Sequence, residues 1–173
     1  MKKMTISAEA QGSWYIVTAL VENKPGVLFR VTNLFRARNF NIESITVGST
    51  EQQDLSRMTI TTNSDEKTLD QLVKQLRKLI DVVEVKVLDT EKSVYRELAL
   101  IKMKAFDPTT RSEIINYSTI FRGNILDIAK DTITVEITGT PDKIDAFKSL
   151  VEPYGITQLA RTGVSALPRG MEN

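Results

Sequence analysis

No cysteine and no histidine occur in these 173 residues. The first absence removes thiolate nucleophiles and disulfides, and the two together remove Cys/His zinc sites. Without imidazole, a base working near neutral pH must be a carboxylate or lysine of shifted pKa. The lack of cysteine says nothing about redox compartment. An excess of one charge is also missing: 23 Lys and Arg face 22 Asp and Glu, for a net charge of +1. No global field therefore draws nucleic acid, and Lys2-Lys3, Arg36 and Arg38 read as ordinary solvated charge. No apolar run is long enough to span a bilayer, and no apolar stretch follows Met1-Lys2-Lys3 to make a secretory signal. A soluble, cytoplasmic protein is the expectation. Gly123-Asn124-Ile125-Leu126 lacks the Lys-Ser/Thr of a Walker loop, and no dinucleotide fingerprint is present. The carboxylates are scattered, with no spacing that builds a metal cage. The reading is of no catalytic residue, no metal site and no cofactor in this chain.

What is present is a packed-core composition, 41% apolar, with one pattern written twice. Residues 1–13 are polar and aperiodic and read as a mobile tail. The apolar run at 14–22 predicts a strand, and Val27, Leu28, Val31, Leu34 and Phe35 mark one face of a helix over 26–38. Asn39 stands where helices end in the left-handed conformation. Strands follow over 42–47 and 55–62, joined by a polar hairpin. Ser64 or Asp65 then caps a helix carrying Leu69, Leu72, Val73, Leu76 and Leu79. A strand over 82–88, with Val83, Val85 and Val87 inward, closes the first half. Residues 89–93 read as a linker. Strand 96–104 and the pair Asp107-Pro108 open the second round, whose helix puts Ile114, Ile115, Ser118 and Phe121 on one face. Strands at 124–128 and 132–138, a helix capped by Thr140-Pro141 and carrying Ile144, Phe147, Leu150 and Val151, and a strand over 156–160 complete it. The expected fold is α+β, two ferredoxin-like βαββαβ domains over 14–90 and 91–168. RNA-recognition domains share this topology but stack bases on aromatic residues of the middle strands; 55–60 and 132–137 hold none.

The stretch Glu22-Asn23-Lys24-Pro25-Gly26-Val27-Leu28 stands between a strand and an amphipathic helix. A helix starting just after Pro-Gly presents unpaired N–H groups and the positive end of its dipole, which suit a carboxylate or phosphate. Asn23 adds an amide that donates and accepts. Such a loop suits the carboxylate and ammonium of a small amino acid, although Pro-Gly also punctuates ordinary turns. Acylphosphatase-like enzymes of this fold need an Arg near such a loop; 23–28 contains Lys24 and no Arg. Asn41 is a further candidate, and Glu43 beside it reads as a solvated strand residue. The first and second strands are joined by a parallel crossover, so Asn41 and Gly26 belong to opposite ends of the sheet. A site using both then requires two chains with their ends opposed. The first strand is apolar on both faces, Tyr15, Val17, Ala19 and Val21 against Trp14, Ile16 and Leu20, and both ask for cover. These features point to a homodimer or larger assembly.

Asn-Lys-Pro-Gly-Val-Leu at 23–28 resembles the ACT domain, a small amino-acid-sensing module. The run Phe40-Asn41-Ile42-Glu43-Ser44-Ile45-Thr46-Val47, then Leu55-Ser56-Arg57-Met58-Thr59-Ile60, is similar to the small regulatory subunits of acetolactate synthase. Arg96-Glu97-Leu98-Ala99-Leu100-Ile101-Lys102, Ile120-Phe121-Arg122-Gly123 and Ala160-Arg161-Thr162-Gly163 agree, so the resemblance runs from about Trp14 to Arg169. It implies a separate large catalytic subunit using thiamine diphosphate, magnesium and FAD, which starts the route to valine, leucine and isoleucine. It implies that the small chain activates that subunit and confers feedback inhibition by valine. The family's effector contacts fall here on Asn23, Gly26, the amides of Val27 and Leu28, and Asn41. Where many relatives end the first helix in Gly-Tyr or Gly-Phe, this chain has Asn39-Phe40. The rival reading of the residues is a stand-alone amino-acid-binding regulator with no enzyme partner.

Overall fold

The computed structural model describes residues 13–170. The predicted tail lies outside them except for Ser13, which begins the first strand. Two compact units divide the chain: residues up to Ser93 with the segment from Pro168, and Val94–Leu167. In the first unit β1 (Ser13–Glu22), α1 (Val27–Ala37), β2 (Ser44–Ser49), β3 (Leu55–Ser64), α2 (Glu66–Leu76) and β4 (Val82–Leu88) form an antiparallel sheet of order β2-β3-β1-β4. In the second, β5 (Ser93–Lys104), α3 (Pro108–Ile120), β6 (Asn124–Ile128), β7 (Thr132–Gly139), α4 (Pro141–Val151) and β8 (Ile156–Arg161) repeat the order as β6-β7-β5-β8. This is the expected pair of βαββαβ units. A ninth strand, β9 (Ser165–Pro168), pairs with β5 and was not foreseen.

Each core lies between the sheet and its helices. Val17, Ala19, Val21, Met58, Ile60 and Val85 meet Val27, Val31 and Phe35 of α1 and Leu69, Leu72, Val73 and Leu76 of α2. Ala99, Ile101, Met103, Ile133, Val135 and Ile137 meet Ile114 of α3 and Ile144, Phe147 and Val151 of α4. The alternation predicted for β1 holds: Val17 and Ile60 are register partners on the helix face, while Ile16 and Thr61 pair on the other. That other face is also closed, with Ile16, Thr18, Thr59, Thr61 and Leu88 all buried.

Several local expectations change. Neither Val83 nor Val87 is buried: they are 60% and 42% exposed. Leu20 stands opposite Glu84 but Val21 opposite Val82, so Val83 falls in a bulge, which re-aims a side chain. Val87 sits on an edge strand covered by one neighbour only. Ile115 and Leu150 flank their helices' buried stripes and stay partly exposed. The second strand starts at Ser44, two residues later than expected, although Ile42 still packs on the core. Thr140 takes the N-cap position of α4 without a side-chain bond, whereas Asp65 and Asp107 cap α2 and α3 through theirs.

Candidate ligand-binding site

Between β1 and α1 the chain turns on Gly26, whose φ of 86° is the left-handed region that glycine enters without a Cβ penalty. The turn is tied at both sides. Asn23 N donates to Asp54 O at 2.8 Å, its side-chain amide reaches Gln53 O at 3.5 Å, and Glu22 N donates to Asp81 O at 2.9 Å. The loop therefore rests between the β2–β3 hairpin and the α2–β4 turn. Lys24 is ion-paired to Glu22 at 2.9 Å, and that hydrogen bond raises the lysine pKa above its ordinary value. The ammonium is thus committed to its neighbour.

The first intrahelical bond of α1 runs from Arg30 N to Gly26 O, at 3.0 Å. The N–H groups of Val27, Leu28 and Phe29 precede it and have no i−4 acceptor inside the helix. Val27 N turns back to Lys24 O at 3.4 Å, which leaves Leu28 and Phe29 as the more open donors. Val27 itself is buried in the core and Leu28 is exposed, so of these two predicted site residues only Leu28 offers a side chain to a ligand. No side chain caps α1, and its first turn holds no acidic residue. The other three helices each have one or both: Asp65 and Glu66 at α2, Asp107 at α3, Asp142 at α4. Because acidic groups at a helix start are favourable, α1 alone among the described helices leaves its positive end unanswered.

Asn41 lies elsewhere. Its carbonyl accepts from Thr62 Oγ1 at 2.8 Å, and Thr62 is the register partner of Tyr15, whereas the loop follows Glu22. From Tyr15 to Glu22 a strand spans about 23 Å at about 3.3 Å per residue. Within one chain the structure brings Asn23, Gly26 and Leu28 together and keeps Asn41 at the far end of the sheet, as the crossover topology required. Glu43 is exposed, with its N–H on Thr61 O in the sheet ladder.

Two charged residues at the loop were not singled out from sequence. Arg30 Nε donates to Asp81 Oδ2 at 2.6 Å, and Asp81 is buried. Arg30 sits one turn into α1, a spacing from which a side chain leans back over the helix start. That signal was legible; its partner, 51 residues away, was not. Among the described residues no cluster of acidic side chains has metal-holding geometry, and no helix is long and apolar enough to cross a membrane. Grooves of about 480 and 450 Å³ run along β4 and include none of the loop residues.

Comparison with known proteins agrees over most of the chain. Residues 17–84 match the family model described as the AHAS small subunit-like ACT domain, and residues 96–170 match that of the small subunit of acetolactate synthase. A probable acetolactate synthase small subunit from Methanothermobacter thermautotrophicus is 51% identical, over 94% of this chain and 96% of its own. The acetolactate synthase small subunit of Mycolicibacterium smegmatis is 47% identical over 90% of this chain and 91% of its own. The crystal structure of that small subunit from Thermotoga maritima superposes with a TM-score of 0.85 at 43% identity, covering 92% of this chain and 99% of the other. Two half-chain models in the right order, near-complete coverage and the shared fold lead to one conclusion: this chain belongs to the family of acetolactate synthase small, regulatory subunits.

Proposed function

We propose that this chain activates a separate acetolactate synthase catalytic subunit and makes it inhibitable by valine. The thiamine diphosphate, magnesium and FAD of that chemistry belong to the catalytic chain. The observation that carries the effector reading is the open start of α1: a left-handed Gly26, no side-chain cap, no acid in the first turn, and Leu28 and Phe29 amides without an intrahelical acceptor. A valine carboxylate supplies the missing anion. Asn side-chain oxygens take the ammonium, and an apolar wall takes the isopropyl group. One methylene changes apolar binding by only about 1–3 kcal/mol, so leucine and isoleucine bind too, more weakly.

The ammonium side of the site comes from a second copy. Asn23, Pro25, Gly26 and Leu28 are exposed, so one chain offers a shelf rather than an enclosure. The strand after Asn41, β2, is an edge of its sheet. It runs parallel to β1, since both are antiparallel to β3. Two copies meeting antiparallel along β2 therefore bring Asn41 of one toward the loop end of the other. The pairing also protects an otherwise open edge. The working state is a cytoplasmic homodimer or larger, bound to the catalytic subunit.

Calorimetric titration of valine into the full chain tests this reading. The expected result is saturable binding at one site per chain; an absence of heat with a folded chain removes valine as the effector.

A further inference from the structure

The loop holds a charge that the effector reading does not use. Arg30 N closes the first turn on Gly26 O, and the Arg30 side chain folds back over that turn. Its Nη1 lies 3.5 Å from the point where a Cβ on Gly26 would stand. Its Nε is engaged by Asp81. A guanidinium carries five N–H donors, and no other hydrogen bond of this one exists among the described residues, so four donors are uncommitted beside the open helix start. Arg161 in the second unit shows the contrast: Glu97 and Asp145 both hold it. Asp81 in turn is only 7% exposed, and among the described residues Arg30 is its one ion-pair partner. Its backbone carbonyl anchors Glu22 N at the end of β1.

We propose that Arg30 is a ligand-contacting residue of this site, its free guanidinium donors binding the effector's carboxylate alongside the α1 amides while Asp81 holds the same group from behind. This rests on the amino-acid effector reading above and assigns the carboxylate its charged partner. The ligand class is an α-amino acid with a free carboxylate; amides and esters of the same side chain lose the contact. Because Arg30 is shared between Asp81 and the ligand, occupancy of the shelf weakens the pull on Asp81. It thereby loosens the tie between the α2–β4 turn and the end of β1. The Arg30–Asp81 pair is then the route by which occupancy reaches the sheet.

The test compares valine with valinamide in calorimetric titrations of the full chain and of Arg30→Gln and Asp81→Asn. In the wild-type chain valine should bind more tightly than valinamide by about tenfold or more, the usual weight of hydrogen bonds between charged groups. In Arg30→Gln that preference should collapse toward the part due to the backbone amides. In Asp81→Asn, where the guanidinium no longer serves two carboxylates, it should be enlarged. A purely structural ion pair behaves differently: both variants weaken both ligands in parallel and leave the ratio unchanged, which overturns the proposal. If Arg30→Gln does not fold by circular dichroism, Asp81→Asn decides alone, since an unchanged or lowered preference there refutes the sharing. A wild-type chain that binds neither ligand fails the effector reading itself, whereas wild-type binding with an unchanged ratio in Arg30→Gln fails only the role of Arg30.

Discussion

The two units write one topology with two different strand-to-helix connections. In the second, β5 leads into α3 through Asp107, whose carboxylate accepts from Thr110 N at 2.9 Å and from Thr110 Oγ1 at 2.7 Å, followed by Pro108 at the first helical position. In the first, β1 leads into α1 through Pro25 and the left-handed Gly26, with no side chain on the helix amides. The second unit carries its own anion at the helix start where the first carries none. The basic residues follow suit, with Arg161 held by two carboxylates and Arg30 by one. A duplicated fold thus separates a capped helix start from an uncapped one by the choice of two or three residues.

The strongest way to break this contrast is to close the first unit like the second. Gly26→Asp puts a carboxylate beside the α1 amides and Arg30. It also forces a φ of 86° on a residue that resists it, at a cost of about 1–3 kcal/mol. Valine affinity should fall about 100-fold or more, counting the lost charge-assisted bonds, while activation of the catalytic subunit persists. Unchanged valine inhibition in this variant would falsify the site assignment.

A complementation experiment sharpens the same point. If the shelf of one chain and Asn41 of another make each site, then mixing Gly26→Asp chains with Asn41→Ala chains yields heterodimers with one intact and one doubly defective site. Valine binding should reappear at one site per heterodimer, although neither variant alone binds well. Sites confined to one chain recover nothing on mixing, and a monomer mass that stays constant with concentration in ultracentrifugation removes the shared site altogether.

Coupling between the units is the next smaller effect. In the proposed function valine acts away from the catalytic centre by shifting a population of the complex, typically by about 1–3 kcal/mol. Either the affinity between the two kinds of subunit changes with saturating valine, or hydrogen exchange over 95–168 changes at constant affinity. A valine-inhibited complex showing neither would point to direct competition with pyruvate in the catalytic chain.

The mildest perturbation opens the second unit. Thr110 N–H, and then its hydroxyl, hold the Asp107 carboxyl below its ordinary pKa. A carboxyl depressed in the folded state stabilises the fold above its unfolded pKa of about 3.9 and loses that contribution as pH falls through the folded value. Asp107→Ala should lower the melting midpoint at neutral pH, and the gap from wild type should close in strong acid. Valine affinity should not change, because the proposed ligand site belongs to the other unit. A gap that persists unchanged in acid would show that the carboxylate's charge is not what caps α3.

Much of this was written in local sequence. The periodicities of β1, β3, α1 and α2, the caps at Asp65 and Asp107, and the left-handed Asn39 at φ 56° all depend on residues a few positions apart. Hydrogen bonds and apolar stripes at such spacing are fixed once the neighbours are known. The parallel crossover even places Asn41 at the far end of the sheet from Gly26. Tertiary structure decided what depends on register between distant strands. The shift between Leu20 and Val21 turned Val83 outward, and the return of β4 beside β1 set Asp81 against Arg30. An alternating sequence says which faces exist but not where a bulge resets them. Nor does a lone arginine in a helix name the carboxylate that meets it 51 residues later, since many acids along the chain could satisfy the same charge and only packing selects one.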